Sequence, residues 1–366
     1  MSDSTILTYT EIDREAWNRL VQTSRTGTWF QSPEAYELFA SLPEMFTPFA
    51  FGVVGKPESD SGQIIEATLR GVCVGYVTKE KSRLRQFFTR RAIILGGPCL
   101  AEDATDEEVT ALLSTLNAQL STLNTQLSTL NTPIYIEIRN FNGYSRWRGA
   151  IEAAGFSYQP HLNFHVDCTD KQKMWERLSD NRKRQIRKKP TPDPSLKGGE
   201  KEGKDVSEQD VREWYGILQE LYRTKVKTPL LPVEFFVQAY KQGVGQFLLI
   251  RHEGKIIGGS MVVKSSDAVY EWYECGMNAA YKEQYPSVMA TWAGMQYAHE
   301  QGCARYDMMG AGVPGVPYGV RDFKSEFGGT LVEHGRWLYV AKPRLYAIGK
   351  AGVEMLKNKI INLIRL

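Results

Sequence analysis

The sequence lacks the usual marks of metal sites, disulfide frameworks and membrane spans. Its five cysteines and five histidines form neither a CxxC nor an HExxH pair, which argues against a zinc site and against paired cysteines. It has no run of about 18 apolar residues, so no segment is predicted to cross a membrane as a helix. The stretch from Met1 to Trp17 has no apolar core behind a basic start, which argues against a signal peptide. We therefore expect a cytoplasmic protein without a metal.

The sequence also lacks a large excess of positive over negative charge, or of negative over positive. The 45 Lys and Arg residues oppose 42 Asp and Glu residues, which leaves a net charge of +3 over 366 residues. This balance does not indicate a nucleic-acid partner, so only a local basic patch would do so.

Glu137 and Arg139 share a predicted strand face, and their simplest role is to pair with each other.

The length of the chain exceeds what one hydrophobic core usually holds, which predicts two domains.

Both halves of the sequence show the same order of predicted elements: a strand, a glycine-bearing strand, a strand, a helix and a strand. In the first half these are residues 49–54, 65–77, 92–95, 107–130 and 133–138, and in the second half 246–250, 255–263, 268–275, 287–301 and 304–309. An antiparallel meander that leads into a helix and a further strand is the core of the acetyltransferase (GNAT) fold. We therefore predict the α/β (α+β) class with two tandem GNAT-like domains, each a mixed, largely antiparallel sheet flanked by helices.

The composition sets the predicted boundaries at residues 1–165 for the first domain, 166–340 for the second and 341–366 for a C-terminal basic amphipathic helix. Residues 190–205 are rich in Pro, Gly and charge, which predicts a mobile loop. Residues 341–366 carry six basic residues and one acid. Such a helix either docks on its own domain, which we favour, or lies at the inner face of an anionic membrane as a peripheral contact.

A seven-residue repeat covers residues 114–134, which read STLNAQL, STLNTQL and STLNTPI. Its leucines recur at spacings of three and four and form one apolar stripe on a helix. The stripe is consistent with a coiled-coil seam or with a helix packed on its own sheet. The run is short and a predicted strand follows it at once, so we favour the packed helix.

The most informative segment spans residues 285–329: a predicted helix, a strand that contains Asp307, a loop rich in glycine and proline, and a polar-aromatic cluster. Glycines let the backbone approach a ligand closely, and loops beyond strand ends often carry binding groups. Arg321 and Lys324 lie three residues apart, so they would share one side of a helical turn and could address a phosphate or an oxyanion. The alternative is a tight loop followed by a solvated charged turn.

A basic helix is predicted within residues 173–189. Six positive charges fall in eight positions without an acid, at Arg182, Lys183, Arg184, Arg187, Lys188 and Lys189. Such a face suits the phosphates of a tRNA backbone, a nucleotide diphosphate or a lipid pyrophosphate. The alternative is a solvated helix end, which the helix dipole favours.

Two shorter segments also contain candidate residues. Residues 29–33 (WFQSP) predict a helix start, with Ser32 as its N-cap. Residues 270–276 (YEWYECG) predict a strand, and simple alternation places Glu271 and Glu274 on opposite faces of it. A strand carboxylate can act as a base, although exposed edge residues give the same pattern.

These segments, in this order, resemble the Fem family of peptidoglycan aminoacyl transferases. The resemblance covers nearly the whole chain and rests on WFQSP, ERLSDNRKRQIRKK (residues 176–189), YEWYECG, and the stretch from YPSVMATW to GVRDFKSEFGG, which is its most specific part. The family has two fused acetyltransferase-like domains, and its characterised members transfer an amino acid from aminoacyl-tRNA to the side-chain amine of a peptidoglycan precursor. The resemblance thus implies an aminoacyltransferase with aminoacyl-tRNA as co-substrate and a nucleotide- or lipid-linked precursor as acceptor.

The resemblance also implies roles for individual residues. In the family, the lysine of the RFK-type motif stabilises the reacting end of the tRNA, and the matching position is Lys324. We expect Lys324 near the developing negative charge, with Glu271 and Asp307 as candidate bases. The expected substrate- and phosphate-binding residues are Arg184, Arg187, Arg321, Tyr318, Phe323 and Gln31, with Tyr318 and Asp307 at the mouth of the pocket.

Two other functions stay open. An acyl-CoA-dependent N-acyltransferase of the same fold would use acetyl-CoA or another acyl-CoA, and such enzymes usually hold the pyrophosphate on a glycine-rich loop at a helix N-terminus. The corresponding residues 281–291 contain no glycine, which argues against coenzyme A in the second domain. The other is a non-catalytic binding protein on this fold. The sequence does not identify the acyl group, the acceptor amine, the general base or the oligomeric state.

Overall fold

The computed structural model describes residues 4–55, 68–79, 82, 89–122, 132–188, 206–226 and 229–352. The predicted mobile loop 190–205 lies outside the described residues, as do Lys189, residues 123–131 of the leucine repeat and residues 353–366 of the C-terminal segment. Contacts divide the chain into two compact units. Unit 1 comprises residues 1–160 and 334–366, and unit 2 comprises residues 161–333.

Unit 1 is a mixed sheet with helices packed against it. Its strands are β1 (Thr5–Thr8), β2 (Phe46–Val54), β3 (Leu69–Thr78), β4 (Arg91–Gly96), β5 (Cys99–Leu100), β6 (Tyr135–Asn140), β7 (Ser157–Gln159) and β14 (Arg336–Val340). Its helices are α1 (Arg14–Thr23), α2 (Pro33–Ala40), α3 (Asp106–Thr122) and α4 (Arg148–Ala153), with 3-10 turns at Trp29–Gln31 and Ser145–Trp147. The strand order is β1-β2-β3-β4-β6-β14-β7, and β5 pairs with β3. The pairings between these strands are antiparallel except for the parallel pair β4 and β6.

Unit 2 has a second sheet, in the order β13-β8-β12-β11-β10-β9. Its strands are β8 (Leu162–Asp167), β9 (Gln246–His252), β10 (Lys255–Lys264), β11 (Ala268–Gly276), β12 (Arg305–Gly310) and β13 (Thr330–Glu333). Its helices are α5 (Lys171–Glu176), α6 (Asp180–Arg187), α7 (Glu208–Leu221), α8 (Val233–Lys241), α9 (Pro286–Glu300) and α10 (Gly319–Ser325), and a π-helical turn spans Tyr222–Val226. Only β11 and β12 run parallel within this sheet.

The predicted topological repeat is confirmed. The series β2, β3, β4, α3, β6 in unit 1 has the same order and strand directions as β9, β10, β11, α9, β12 in unit 2. In both, an antiparallel meander leads through a helix to a strand parallel to the last one, as a crossover connection requires. The predicted fold class, two tandem GNAT-like domains with mixed sheets, is therefore correct.

The sequence-based domain division differs from these units at residues 161–165, which it assigned to the first domain, and at residues 334–340, which it assigned to the second. Strand β14 instead pairs antiparallel with β6 and with β7, which places it inside the sheet of unit 1. A return of the chain to an earlier sheet depends on hydrogen bonds between distant residues, and local patterning does not reveal them. Beyond β14, residues 343–352 are helical, and Tyr346 makes an edge contact with Tyr135 at 5.5 Å. Within the described residues, we find no helix with the length and hydropathy needed to span a bilayer.

The leucine stripe faces the core of unit 1 as far as α3 extends. Leu112, Leu113, Leu116 and Leu120 are each at most 1% exposed and belong to the cluster under the sheet. Asn117 on the same helix donates a 2.8 Å hydrogen bond to the carbonyl of Ala154. The packed-helix interpretation therefore holds for the described part of the repeat, where a coiled-coil seam would need these leucines at the surface.

Candidate functional site

The sheet of unit 2 opens where strands β11 and β12 diverge. The two strands pair from Ala268 to Tyr270 on one side and from Arg305 to Asp307 on the other. Beyond these positions the ladder stops, although β11 continues to Gly276 and β12 to Gly310. Backbone groups on the facing edges are then available to side chains or to a ligand. This opening lies next to the GVRDFKSEFGG segment that the sequence analysis selected.

Lys324 occupies the opening. It lies on α10, is 8% exposed, and donates hydrogen bonds from Nζ to the carbonyl oxygens of Met308 and Gly310, the latter at 2.9 Å. Burial lowers the pKa of the Lys324 ammonium, while nearby carboxylates act in the opposite direction. Those carboxylates belong to Glu271, Asp307 and Glu274. The ammonium is thus held by two backbone carbonyls, and the charges of three acids of the same unit act on it.

The end of β12 is bent so that both carbonyls reach the ammonium. Met309 has a φ of 60°, a left-handed conformation that non-glycine residues seldom adopt, and the register with β8 shifts between Asp307 and Gly310. The Asp307 carboxylate accepts a 2.7 Å hydrogen bond from the Met309 N–H, which stabilises this turn. Backbone strain of this kind is often stored at functional sites.

A β-bulge in β11 turns two glutamates to the same side. Residue Met261 on β10 lies opposite Tyr273, and the next residue, Val262, lies opposite Glu271, so Trp272 is an extra residue in the ladder. The carboxyl groups of Glu271 and Glu274 therefore lie close enough for the charge of Glu271 to raise the pKa of Glu274. The predicted alternation, which put the two glutamates on opposite faces, is wrong because the bulge adds one residue between them.

Glu271 is buried, and one of its carboxylate oxygens is bonded to two neighbouring hydroxyls. Its Oε1 accepts hydrogen bonds from Thr291 on α9 and from Tyr306 on β12, each at 2.9 Å. Burial raises the pKa of Glu271, and the Lys324 charge together with these two hydrogen bonds opposes the rise. A side chain at Gly294 would collide with the Tyr306 hydroxyl, which explains a glycine in the middle of a buried helix.

Asp307 lies in the interior of unit 2, not at a pocket mouth. Its side chain is fully buried, and its Oδ2 lies 3.1 Å from Nε2 of His165 on the neighbouring strand β8. The prediction that Asp307 shapes the pocket mouth is corrected by this burial. With one oxygen on the Met309 N–H and the other beside His165, Asp307 positions the end of β12.

The glycine- and proline-rich loop is held by Arg321. Its guanidinium donates to the carbonyls of Ala311 at 2.8 Å, Val316 at 3.0 Å and Val313 at 2.5 Å. Three donors of Arg321 thus serve the backbone of this loop, and its predicted phosphate-binding role stays a prediction. Tyr318 is 42% exposed at the start of α10, and its predicted place at the pocket mouth also stays a prediction.

Phe323 belongs to a packed aromatic and cationic group. The Arg182 guanidinium lies 4.6 Å from the Phe323 ring centroid and 5.1 Å from that of Phe327, and its Nε is 3.6 Å from Glu326. Arg182 is only 6% exposed, so it belongs to the core between α6 and α10. This packing gives Phe323 a structural contact, and its predicted substrate contact stays a prediction.

The rest of the basic helix faces solvent. Arg184 and Arg187 are exposed and, with Asp180, Lys183 and Lys188, line a shallow open groove. The Arg187 guanidinium stacks 5.3 Å from the Trp175 ring, and Arg184 donates to Asn181 at 2.9 Å. These contacts hold both side chains on the exposed face of the helix, and their binding of an anionic ligand stays a prediction.

Gln31 is a structural residue of unit 1, in contrast to the predicted binding role. It is fully buried in the 3-10 turn before α2, which starts at Pro33 with Ser32 as its N-cap. Its amide donates to the carbonyls of Val74 at 3.0 Å and Leu95 at 2.7 Å and accepts from the Val74 N–H at 2.7 Å. The side chain bridges β3 and β4 and leaves no polar group for a substrate.

We expect Gln31→Ala to lower the free energy of unfolding by about 3 kcal/mol, because it leaves buried backbone groups of Val74 and Leu95 without partners. Urea unfolding measures this loss, and Gln22→Ala at an exposed position of the same unit is the matched control. Donor affinity should not change in the folded variant. A stable Gln31→Ala protein with weakened donor binding would restore the predicted binding role.

Helix N-termini are where acyl-CoA enzymes hold pyrophosphate, and in both units the chain's own groups use part of this position. Helix α9 begins with Pro286, which has no N–H, and the next N–H, that of Ser287, donates to Oδ1 of Asn278 at 3.2 Å. Helix α3 carries three acids in its first turn, and Glu108 and Thr105 cap each other at 2.9 and 3.2 Å. We therefore expect both termini to bind pyrophosphate less well than a glycine-rich loop at a helix N-terminus does.

Sequence patterns missed four contributors to this site: Glu274, His165, Tyr306 and Thr291. His165 meets Asp307 only through the antiparallel register of β8 and β12. Glu274 joins Glu271 only through the bulge. One signal was present in the sequence, since Glu271 and Glu274 are three residues apart in a strand that also contains Trp272, Tyr273 and Cys275, but a bulge cannot be located from spacing alone.

Comparisons with known proteins agree with this architecture. Residues 179–325 match the family described as acetyltransferase (GNAT) domain, and the sequence matches none of the curated proteins. Among solved structures, FemX has a TM-score of 0.64 at 13% identity, with 94% of this chain and 99% of FemX covered. L-PGS from Bacillus licheniformis has a TM-score of 0.50 at 12% identity, covering 94% of this chain and 97% of its own.

A tandem GNAT protein from the clavulanic acid biosynthesis pathway also has a TM-score of 0.50, at 9% identity, covering 92% of this chain and 98% of its own. Each of these three proteins is covered almost entirely, so the match extends over both units and not over a single domain alone. At these identities the likeness establishes the fold. The chain thus shares the fold of FemX and of the tandem GNAT protein, and residues 179–325 in its second unit are similar to the acetyltransferase (GNAT) domain family.

Proposed function

We propose that the protein transfers an aminoacyl group from aminoacyl-tRNA to an amine of a peptidoglycan precursor. The observation that carries this proposal is the buried Lys324 ammonium, held at the opening between β11 and β12 by the carbonyls of Met308 and Gly310. A fixed ammonium in a water-poor site is the kind of group that stabilises an oxyanion in acyl transfer. The likeness to FemX and the GNAT domain match support an acyltransferase of this class.

In the proposed reaction the acceptor amine attacks the ester carbonyl carbon of aminoacyl-tRNA. A C–N bond forms, negative charge gathers on the carbonyl oxygen, and the ester C–O bond then breaks with the ribose hydroxyl as the leaving group. Two N–H donors of Lys324 are held by backbone carbonyls. The third is the donor proposed for the oxyanion, so no side-chain rearrangement is needed during the reaction.

The choice of aminoacyl-tRNA as the acyl donor follows from the positions of the exposed basic residues in unit 2. The exposed face of α6 presents Arg184 and Arg187 with Lys183 and Lys188 around one groove. The N-terminus of α3 is acidic, and α9 starts with a proline followed by an N–H that donates to Asn278. A tRNA backbone is bound by several separate cations and coenzyme A by a free helix N-terminus, so this distribution supports tRNA as the proposed donor.

One observation favours a second candidate function. The family that residues 179–325 match is described as an acetyltransferase domain, which is consistent with an acyl-CoA-dependent N-acyltransferase acting on another amine. The two candidates differ in the donor, so a binding experiment separates them.

We expect the purified protein to bind tRNA with an affinity that falls steeply with salt, and to bind acetyl-CoA weakly or not at all. Replacing Arg184 and Arg187 by glutamine should weaken tRNA binding by about tenfold or more at low salt and reduce the slope of log affinity against log salt by about 2, one per lost phosphate contact. Fluorescence anisotropy at several salt concentrations measures both quantities.

The matched control is the double replacement of Arg212 and Arg223 by glutamine. These arginines lie in unit 2, and their exposed ion pairs with Glu208 and Glu220 keep them from acting as free cations. The control should bind tRNA like the wild type. Tight, salt-insensitive acetyl-CoA binding with no tRNA binding would favour the acyl-CoA-dependent candidate.

A further inference from the structure

Among the three acids around Lys324, Glu274 and Asp307 each have a buried carboxylate oxygen without a hydrogen-bond partner among the described residues, and that of Asp307 lies 3.1 Å from Nε2 of His165. Asp307 binds the Met309 N–H and lies beside His165, and Glu271 accepts from Thr291 and Tyr306. Within the described part of the chain, Oε1 of Glu274 is buried and has no hydrogen-bond partner. A buried, unsatisfied carboxylate oxygen is costly, so its retention indicates a use.

The surroundings of Glu274 suit a proton acceptor. The residue is half-buried on the part of β11 that no longer pairs with β12, so a substrate in the opening can approach it. Burial and the charge of Glu271 raise the pKa of Glu274 to about 8, against weaker opposing effects from Ser287 and Lys324. A base whose pKa lies near the working pH is effective at both taking up and releasing a proton. The other titratable groups that interact with Glu274 are Cys275 on its own strand and Tyr306 on β12.

We propose that Glu274 is the proton acceptor for the attacking amine, at the same opening where Lys324 faces the developing oxyanion. This role rests on the proposed acyl transfer and adds its missing base. As the C–N bond forms, one amine proton passes to the Glu274 carboxylate. When the C–O bond breaks, the same proton is delivered to the leaving oxygen, which restores the carboxylate. The bulge at Trp272 is what brings Glu274 to this face.

The test compares Glu274→Gln, Glu274→Asp and the wild type in steady-state transfer assays from pH 6.5 to 9.5. The assays use whichever donor the wild type accepts, aminoacyl-tRNA or acetyl-CoA, so the result for Glu274 does not depend on the identity of the donor. Glutamine keeps the size of the side chain and removes a carboxylate whose ionisation is disfavoured by burial, so we expect the variant to fold at least as stably as the wild type. Glu283→Gln, at an exposed position of the loop after β11, is the control.

We expect wild-type kcat to rise with pH and level off above about pH 8, because the acceptor must be ionised. In Glu274→Gln this rise should disappear and kcat should fall by about 10²–10³-fold with KM nearly unchanged. Glu274→Asp should keep a pH-dependent rise at a reduced rate, and Glu283→Gln should match the wild type. A Glu274→Gln protein that keeps the wild-type kcat and its rise near pH 8 would overturn the assignment, as would a loss that appears only in KM.

Discussion

Replacing Lys324 by methionine is expected to lower the free energy of unfolding by about 3 kcal/mol at neutral pH, because it leaves the carbonyls of Met308 and Gly310 without their donor and removes the positive charge that opposes the raised pKa of buried Glu271. The charge of Lys324 also lowers the pKa of Glu274. Burial lowers the pKa of Lys324 itself although the charges of Glu271, Asp307 and Glu274 oppose this, so the stabilisation comes from the two carbonyls and Glu271 and not from the solvation of the lysine. Urea unfolding at pH 7.5 measures the loss.

The stability loss in Lys324→Met depends on pH because the protonation of buried Glu271 depends on pH. Burial raises the pKa of Glu271, and removal of the lysine would raise it further. The loss in Lys324→Met should therefore shrink as the pH falls and Glu271 takes up a proton. The double variant Lys324→Met/Glu271→Gln should recover part of the lost stability, since it removes the unpaired charge. Equal stability of Lys324→Met and the wild type at pH 7.5 would show that the buried charge cluster has been misjudged.

The second large effect is expected in unit 1, at Glu137. Its carboxylate lies 2.8 Å from Arg139 and 2.6 Å from Arg336, so it joins strand β6 to strand β14. Burial alone would raise the pKa of Glu137, but the charges and hydrogen bonds of the two arginines outweigh it and lower the pKa from 4.5 to about 2. That difference corresponds to about 3 kcal/mol of stability.

Because the folded-state pKa is depressed, this stability is present above the unfolded value of 4.5 and is lost as the pH falls toward 2. We expect Glu137→Gln to be less stable than the wild type by about 3 kcal/mol at pH 7 and nearly equal to it near pH 2. Chemical unfolding over this pH range measures the convergence. Glu152→Gln breaks an exposed ion pair with Arg148 in the same unit and should cost at most about 0.5 kcal/mol. A constant difference between Glu137→Gln and the wild type at every pH would refute the linkage.

The elements of both units could be predicted from the sequence because each follows from local chemistry. The alternating and apolar runs at residues 246–250, 255–263 and 268–275 became β9, β10 and β11 with shifts of at most two residues at their ends. Ser32 and Pro33 started α2 as their residue types predict, and the pairing of Glu137 with Arg139 followed from two residues on one strand face. In each of these cases, the residues that determine the element or the ion pair lie within a few positions of one another in the sequence.

The parts of the site that could not be predicted depend on contacts between distant residues. The bulge at Trp272 changes which face Glu274 occupies, and the return of β14 to the first sheet adds Arg336 to the pair at Glu137. Gln31 belongs to a motif that suggests binding, yet its amide is used between β3 and β4. A polar residue in a recognised motif can therefore serve the fold, and only its hydrogen-bond partners distinguish the two roles.

The most direct measurement is transfer of a radiolabel from two donors, a mixed pool of labelled aminoacyl-tRNA and labelled acetyl-CoA, to a nucleotide-linked muramyl pentapeptide that contains lysine. The wild type is compared with Lys324→Arg, which keeps the charge but changes the position of the donors, and with Lys324→Met. We expect label to pass to the peptide from aminoacyl-tRNA and not from acetyl-CoA, with a fall of about 10²–10³-fold in both variants. Transfer from acetyl-CoA alone, or unchanged transfer from aminoacyl-tRNA in Lys324→Met, would contradict the proposed function.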